Sequence, residues 1–375
     1  MSITTKNKSQ KWCEAGSSHV WLRNDNTASV CCALKDSNKF PLDKNSNFQN
    51  VMQSPQWKSF IQPLENRPIN HNQCDQCILQ EQGTGESIRQ KINQSTQDGF
   101  FLKIDFSNKC NLKCIMCNSV RSTGWKKDEE KLAELGVLDA NQVHEYNKLS
   151  DKWWLQHEKL WWNTVSTIEI SGGEPFYEPM LFEFLEFLLS INKQNVNLTI
   201  ITNLTLYNKT ISDLLLNFNS VQLLCSVDAW QEDIYQYSRG GIYTLKTIKE
   251  NIKLLSTIVK DIFVIDTLHC VTYDQSQLGK QWIAQSGIKN IRHTLNYVYT
   301  PRYLDARSVL PDSFLENNKD IVIPKDGFKK DNSLQQKFVK WITALDSVRN
   351  TNILQVRPEF ESWFERLEHE QRYSN

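Results

Sequence analysis

The alternation of apolar and polar positions divides the chain near residue 99. Before it, periodic patterns are short, and turn formers such as Asn, Ser, Asp, Pro and Gly are frequent. From Gly99 onward, β-branched apolar runs alternate with amphipathic segments. Strands are predicted at 100–106, 165–171, 196–202, 220–228, 262–272 and 288–294. Helices are predicted between them at 119–135, 178–191, 209–217, 243–257 and 275–285. In the fourth of these, Ile242, Leu245, Ile248, Ile252, Leu255 and Ile258 fall on roughly one helical face. Six strands, apolar along most of their length and separated by helices, imply a parallel sheet covered on both faces. Two further units needed for a closed eight-strand barrel are not evident. The expected fold is therefore α/β, a partial (β/α)6 TIM-like barrel with an irregular Cys-rich N-terminal module and a helical C-terminal extension.

Residues 126–163 interrupt the first crossover and carry Trp153, Trp154, Trp161 and Trp162. Such paired indoles either stack on a flat ligand or pack a helix onto a core, and packing is the expected role. After about 305 the chain turns polar, and an amphipathic helix follows near 333–348. Three parts are expected: an N-terminal module over 1–97, the barrel over 98–305 and an extension over 306–375.

Composition narrows the partners. Lys+Arg and Asp+Glu both number 43, so the net charge is zero and no global basic footprint invites nucleic acid or an anionic membrane. The first residues are polar and lack the apolar stretch of a secretory signal. The longest apolar segment, Met180 to Ile191, is too short to span a bilayer and carries Glu183 and Glu186. A soluble, cytoplasmic protein is expected. In a reducing compartment, clustered cysteines point to metal or redox chemistry rather than disulfides.

Three of the ten cysteines fall within "CNLKCIMC", as Cys110, Cys114 and Cys117, just after the first barrel strand. A closed zinc site needs four protein ligands. The nearest Cys or His downstream is His144, so three thiolates on one loop would leave one metal corner open. The loop also lies at the C-terminal end of a strand, where α/β sheets build their active sites.

This C-x3-C-x2-C spacing after the first strand of a partial barrel resembles the radical S-adenosylmethionine (SAM) superfamily. The resemblance covers about 99–295. It implies that the three cysteines hold a [4Fe-4S] cluster whose fourth iron takes the amino and carboxylate groups of SAM. "SGGEP" at the end of the second strand is similar to the family's GGE segment, which implies that Gly172, Gly173 and Glu174 receive the SAM amino group. "ITNL" and "SVDA" end the next two strands. They look like the SAM-contacting rim, with Thr202, Asn203, Ser226 and Asp228 as the contacts; turn and cap chemistry is the competing role for these residue types. "YSRGG" resembles a Y-x-R-x-G stretch, so Arg239 would pair with the SAM carboxylate. Met116 would pack on the adenine, or fill a core gap.

Upstream, Cys74 and Cys77 have metal-knuckle spacing, and Cys13 with one of Cys31 and Cys32 would complete four thiolates. By count these suit zinc or a [4Fe-4S] cluster. Neighbours in an extended segment point to opposite sides, so only one of the pair is expected to ligate, and Cys32 is preferred. The module resembles the twitch/SPASM extension of radical SAM enzymes, which implies an auxiliary [4Fe-4S] cluster. It departs from that pattern by preceding the barrel. Glu81 and Arg89 are expected to be structural, and Cys225 should face the helices.

The implied activity is reductive cleavage of SAM to a 5′-deoxyadenosyl radical that takes hydrogen from a substrate C–H bond. The implied substrate is a peptide or a small molecule, with a reductant such as flavodoxin or ferredoxin. Membrane and nucleic-acid partners are not expected, and no acid–base or nucleophilic residue stands out. Two rivals are a non-enzymatic iron–sulfur electron carrier or sensor, which leaves GGE unexplained, and a zinc-stabilised binding module.

Overall fold

The computed structural model describes residues 12–32, 39–42, 48–65, 74, 77, 78, 81, 87–150, 152–298, 300–316, 318, 320, 321 and 330–373. Nine strands form one sheet: β1 (His19–Arg23), β2 (Thr27–Ser29), β3 (Lys39–Pro41), β4 (Phe100–Asp105), β5 (Val165–Ser171), β6 (Asn197–Thr202), β7 (Ser220–Ser226), β8 (Asp261–Leu268) and β9 (Ile291–Tyr297). Their spatial order is β3-β2-β1-β4-β5-β6-β7-β8-β9. Strands β4 to β9 are parallel, each joined to the next through helical segments, so the six-unit open sheet read from the periodicity is present.

The two faces of this sheet differ. Leu102, Ile104, Ile168, Ile170, Leu198, Ile200, Leu223, Cys225, Ile262 and Val264 are fully buried on one side. The helices pack on this side, as expected for Cys225. On the other face the register aligns Lys103, Glu169, Thr199, Gln222 and Asp261 across five strands, and all five are only half-buried. The uncovered face is thus polar in large part and accessible, and the strand ends beside it carry the candidate site.

The N-terminal stretch is more regular than its turn-rich composition suggests. β1 pairs in parallel with β4, while β2 and β3 continue outward as an antiparallel meander. β1 is buried along its whole length, which a five-residue run without clean alternation does not announce. The helix Ile88–Ser95 starts from a capping box in which Ser87 and Gln90 bond reciprocally, and Glu81 pairs with Arg89 at 2.6 Å, as the structural reading expected.

Several boundaries differ from the sequence reading, four of them for a visible reason. The first crossover helix begins at Lys126 rather than 119, because Ser122 caps a short 3-10 turn at Thr123–Trp125 ahead of it. Thr244 caps the helix Leu245–Leu255, which leaves Ile242 off its apolar face and 91% exposed. β8 stops at Leu268 because Thr272 Oγ1 donates to Thr267 O and accepts from His269 N, turning the chain. β9 starts at Ile291, after Gly287 turns with φ +73° and Asn290 donates to Ser256 O and Val259 O.

The tryptophans pack. Trp153, Trp154 and Trp162 are buried against Phe184, at ring distances of 5.4–5.8 Å. The C-terminal extension is helical, with helices Asn332–Arg349 and Glu361–Tyr373. The first of these lays Trp341 on Trp125 and Tyr303. Among the described residues, no helix is long and apolar enough to cross a membrane.

Candidate functional site

β4 ends at Asp105, and the chain passes through Ser107 and Asn108 into the cysteine loop. Asn108 anchors the entry: its amide donates to Ser119 O and Glu145 O, and its oxygen accepts from Asn147 N. The loop is then fixed from several directions. Ile115 N donates to Ser238 O at 2.8 Å and Lys113 N to Arg239 O at 3.3 Å, so the last turn of the helix Glu232–Arg239 supplies its free carbonyls to the loop. Ser122 Oγ donates to Leu112 O, and Trp125 Nε1 to Cys114 O at 2.8 Å. Cys110, Cys114 and Cys117 are all half-buried on it. Burial and the charge of Cys114 push the Cys110 and Cys117 thiols up to about 12. Burial raises Cys114 as well, against the opposing pull of the Arg239 and Arg349 guanidiniums.

The GGE segment packs on this loop. A Cβ at Gly173 would fall 2.1 Å from Lys109 O, and one at Gly172, where φ is +113°, would fall 2.7 Å from Ser107 O. The two glycines therefore bring the backbone onto the entry to the cysteine loop, and Gly173 N and Glu174 N donate to Ser107 O and Lys109 O. The glycines' close approach is thus toward protein backbone. Glu174 is 2% exposed, and burial raises its carboxyl pKa. Its Oε1 accepts from Thr202 Oγ1 and Phe176 N, and its Oε2 from Asn203 N at 2.7 Å.

The other rim residues fall at the same strand ends. Thr202 closes β6, Asn203 follows it, and Ser226 closes β7. Asn203 Nδ2 lies 3.9 Å from Cys110 Sγ and donates to Asn111 Oδ1. Asp228 is held at φ +69°, with Thr267 N donating to Oδ1 and Arg239 Nη1 to Oδ2. Arg239 is 5% exposed, and its Nε is buried with no partner among the described residues. Met116 is half-buried against the core.

Sequence reading passed over three neighbours of the loop. Tyr235 is 1% exposed, with its hydroxyl unpartnered among the described residues, and is close enough to Cys114, Arg239 and Asp228 to feel their charges. Trp125 and Arg349 bond the loop's carbonyls. Only the i, i+4 step from Tyr235 to Arg239, on one helical face, could have flagged any of them.

The N-terminal cysteines also gather. The Cys13 thiol, pushed up to about 12 chiefly by burial, is near Cys77 and Cys74, and Cys77 is near Cys32. Arg89 lies beside Cys13 and Cys77, while Cys32 is close enough to Lys103 to favour its charged form. Cys32 therefore borders the uncovered face of the sheet at β4. Among the described residues, no three Cys, His, Asp or Glu side chains are drawn together as tightly as a single ion would need.

Residues 104–275 match the family model of the radical SAM superfamily. A curated relative, the antilisterial bacteriocin subtilosin biosynthesis protein AlbA of Bacillus subtilis (strain 168), is 27% identical over 153 residues, which is 40% of this chain and 29% of that protein. The match thus spans less than a third of the relative's length. Among solved structures, anSMEcpe with bound AdoMet aligns with a TM-score of 0.41 and 16% identity, covering 67% of this chain and 62% of that one. SuiB of Streptococcus suis, bound to precursor peptide SuiA, aligns with a TM-score of 0.39 and 14% identity, over 91% of this chain and 73% of that one.

Proposed function

With residues 104–275 belonging to the radical SAM superfamily of enzymes, we propose that this chain binds a [4Fe-4S] cluster through Cys110, Cys114 and Cys117 and uses it to cleave SAM. The donor set fits such a group: three thiols on one loop, an open fourth position, and the buried, unpartnered Nε of Arg239 nearby. That last atom is the observation that carries the reading furthest, because a buried N–H donor without a partner is costly and a carboxylate would satisfy it. When bound, the cluster supplies the electron that splits SAM into methionine and a 5′-deoxyadenosyl radical, which removes hydrogen from a substrate C–H bond.

The chain's own residues then have distinct tasks. Arg239, held by Asp228, would present Nε to the SAM carboxylate. Glu174 already accepts three protein hydrogen bonds and retains one acceptor site for the SAM ammonium. Thr202, Asn203 and Ser226 would contact the ribose of SAM, and Met116 its adenine.

The second set, Cys13, Cys32, Cys74 and Cys77, is proposed to hold an auxiliary [4Fe-4S] cluster within a module over 1–97. Cys32, which is near Cys77, is proposed as the fourth donor. A peptide is the preferred substrate class, because AlbA is named for the biosynthesis of a bacteriocin, a polypeptide by definition. A flavodoxin- or ferredoxin-type protein would deliver the electron.

The test is anaerobic reconstitution with iron and sulfide, followed by dithionite and SAM. About eight irons per chain and formation of 5′-deoxyadenosine are expected, falling to about four irons and no product when the three loop cysteines become Ala. A fully loaded protein that neither cleaves SAM nor changes its cluster spectrum on adding it would overturn the reading in favour of an electron carrier.

A further inference from the structure

The C-terminal helix Asn332–Arg349 ends against the cysteine loop, 236 positions away in sequence. Arg349 Nη2 donates to Lys113 O, inside the loop, at 2.8 Å. Its Nε donates to Asp128 Oδ2 at 2.7 Å, and Lys113 Nζ reaches the other oxygen of Asp128 at 3.1 Å. The guanidinium lies 4.4 Å over the ring of Trp125, whose own Nε1 donates to Cys114 O. Nη1 is buried without a partner among the described residues. The same helix holds the loop's other brace, since Asp346 accepts from Tyr237 in the helix whose last carbonyls bond the loop.

Two guanidiniums therefore act on Cys114, and their local balance differs. Arg239 is matched one to one by Asp228. Arg349 shares the carboxylate of Asp128 with Lys113 and so is not matched one to one, while Asp346, three residues before it, is taken up by hydrogen bonds from Tyr237, Thr351 and Ile353 N. We propose that Arg349 is a positioning residue of the C-terminal extension that fixes the geometry of the cysteine loop and raises the reduction potential of the cluster it carries. The inference rests on the radical SAM reading. One-electron reduction adds one negative charge to the cluster, and a fixed cation close by, in a water-poor site, favours the reduced form.

The experiment is a redox titration of the reconstituted full chain, following by EPR the reduced-cluster signal that SAM perturbs. It is run on wild type, Arg349→Ala and Arg349→Lys, with iron content and the melting temperature of each apo-protein measured in parallel. Arg349→Ala is expected to shift the midpoint potential to more negative values and to lose part of its iron on gel filtration. Arg349→Lys, which keeps the charge but not the two-point bond, is expected to recover most of the potential and less of the iron retention. It also serves as the readable variant should Arg349→Ala fail to fold. An unchanged potential in both variants at full iron content overturns the proposal, even if the melting temperature falls, since a merely structural residue would move only the latter. A wild-type protein that takes up no SAM-responsive cluster overturns the radical SAM reading itself, which separates the two failures.

Discussion

Glu174 shows how the site is built from single residues. One buried carboxylate gathers the hydroxyl of Thr202 and the backbone amides of Phe176 and Asn203, tying the turn after β5 to the end of β6. In Glu174→Gln one of the two oxygens becomes an amide nitrogen. The Thr202 hydroxyl can rotate to accommodate this, but a backbone N–H cannot. If the carboxamide keeps its oxygen toward Phe176, Asn203 N is orphaned, at about 1–3 kcal/mol. A lower urea midpoint and weaker SAM binding are expected, and a wild-type midpoint would show that Glu174 does not carry the rim. Gly173→Ala is harsher, because its Cβ would sit 2.1 Å from Lys109 O, a backbone atom that cannot step aside without moving the cysteine loop. Loss of reconstituted iron is expected, with destabilisation on the order of 1–3 kcal/mol. Full iron in this variant would mean that the loop tolerates displacement. The motif residues were legible because their spacing lies within single loops. Arg349 and Trp125 were not, because a helix end and a crossover turn meet the loop only after the chain has folded.

At the scale of elements, the segment between β4 and β5 puts His157 into an aromatic nest, 4.4 Å from Phe48 and 4.7 Å from Trp161 by ring centre. Burial pushes its pKa down to about 4, and its Nδ1 has no partner among the described residues. In the unfolded chain the ring takes up a proton near 6.5, whereas in the folded protein it resists until about 4. Between these values the unfolded state binds more protons. The stability associated with the neutral ring is therefore complete above 6.5 and is lost as pH falls toward 4, by at most about 3 kcal/mol. His157→Phe should weaken the fall in urea midpoint between pH 7 and pH 5. An unchanged fall would assign the dependence elsewhere, first to His19, which burial also pushes down to about 4. The elements legible in sequence were those with long, clean patterns: β5 is found at its predicted bounds, because both its ends are marked by turn residues. β2 and β3, with three residues each, carry no period to read, and β1 shows none because both its faces are buried. Ile242 was misassigned because a helical face drawn from apolar spacing alone ignores the capping Thr244.

The whole molecule poses the question of whether the N-terminal part is a separable module. Its cysteines read as an appendage, yet β1 is hydrogen-bonded along β4, and Phe48 enters the ring cluster of Phe100, His157 and Trp161. Trp57 is fully buried and donates from Nε1 to Gly16 O, which closes the N-terminal strands over their own helix. Removing this part would turn β4, now central, into an edge strand with unpaired backbone groups and strip the apolar cover from Phe100 and Trp161, the conditions under which sheets aggregate. A chain starting at residue 99 is therefore expected to be insoluble or to unfold without a cooperative transition, whether or not cluster is supplied. Changing Cys13, Cys32, Cys74 and Cys77 together to Ala leaves that sheet and ring cluster in place, and should give a cooperatively folded protein that retains the iron of Cys110, Cys114 and Cys117. If the truncated chain folded cooperatively and bound its loop cluster, the β1–β4 pairing would be dispensable and the N-terminal part a true appendage. If the four-cysteine variant collapsed like the truncation, the metal rather than the strand would be what holds this part to the sheet.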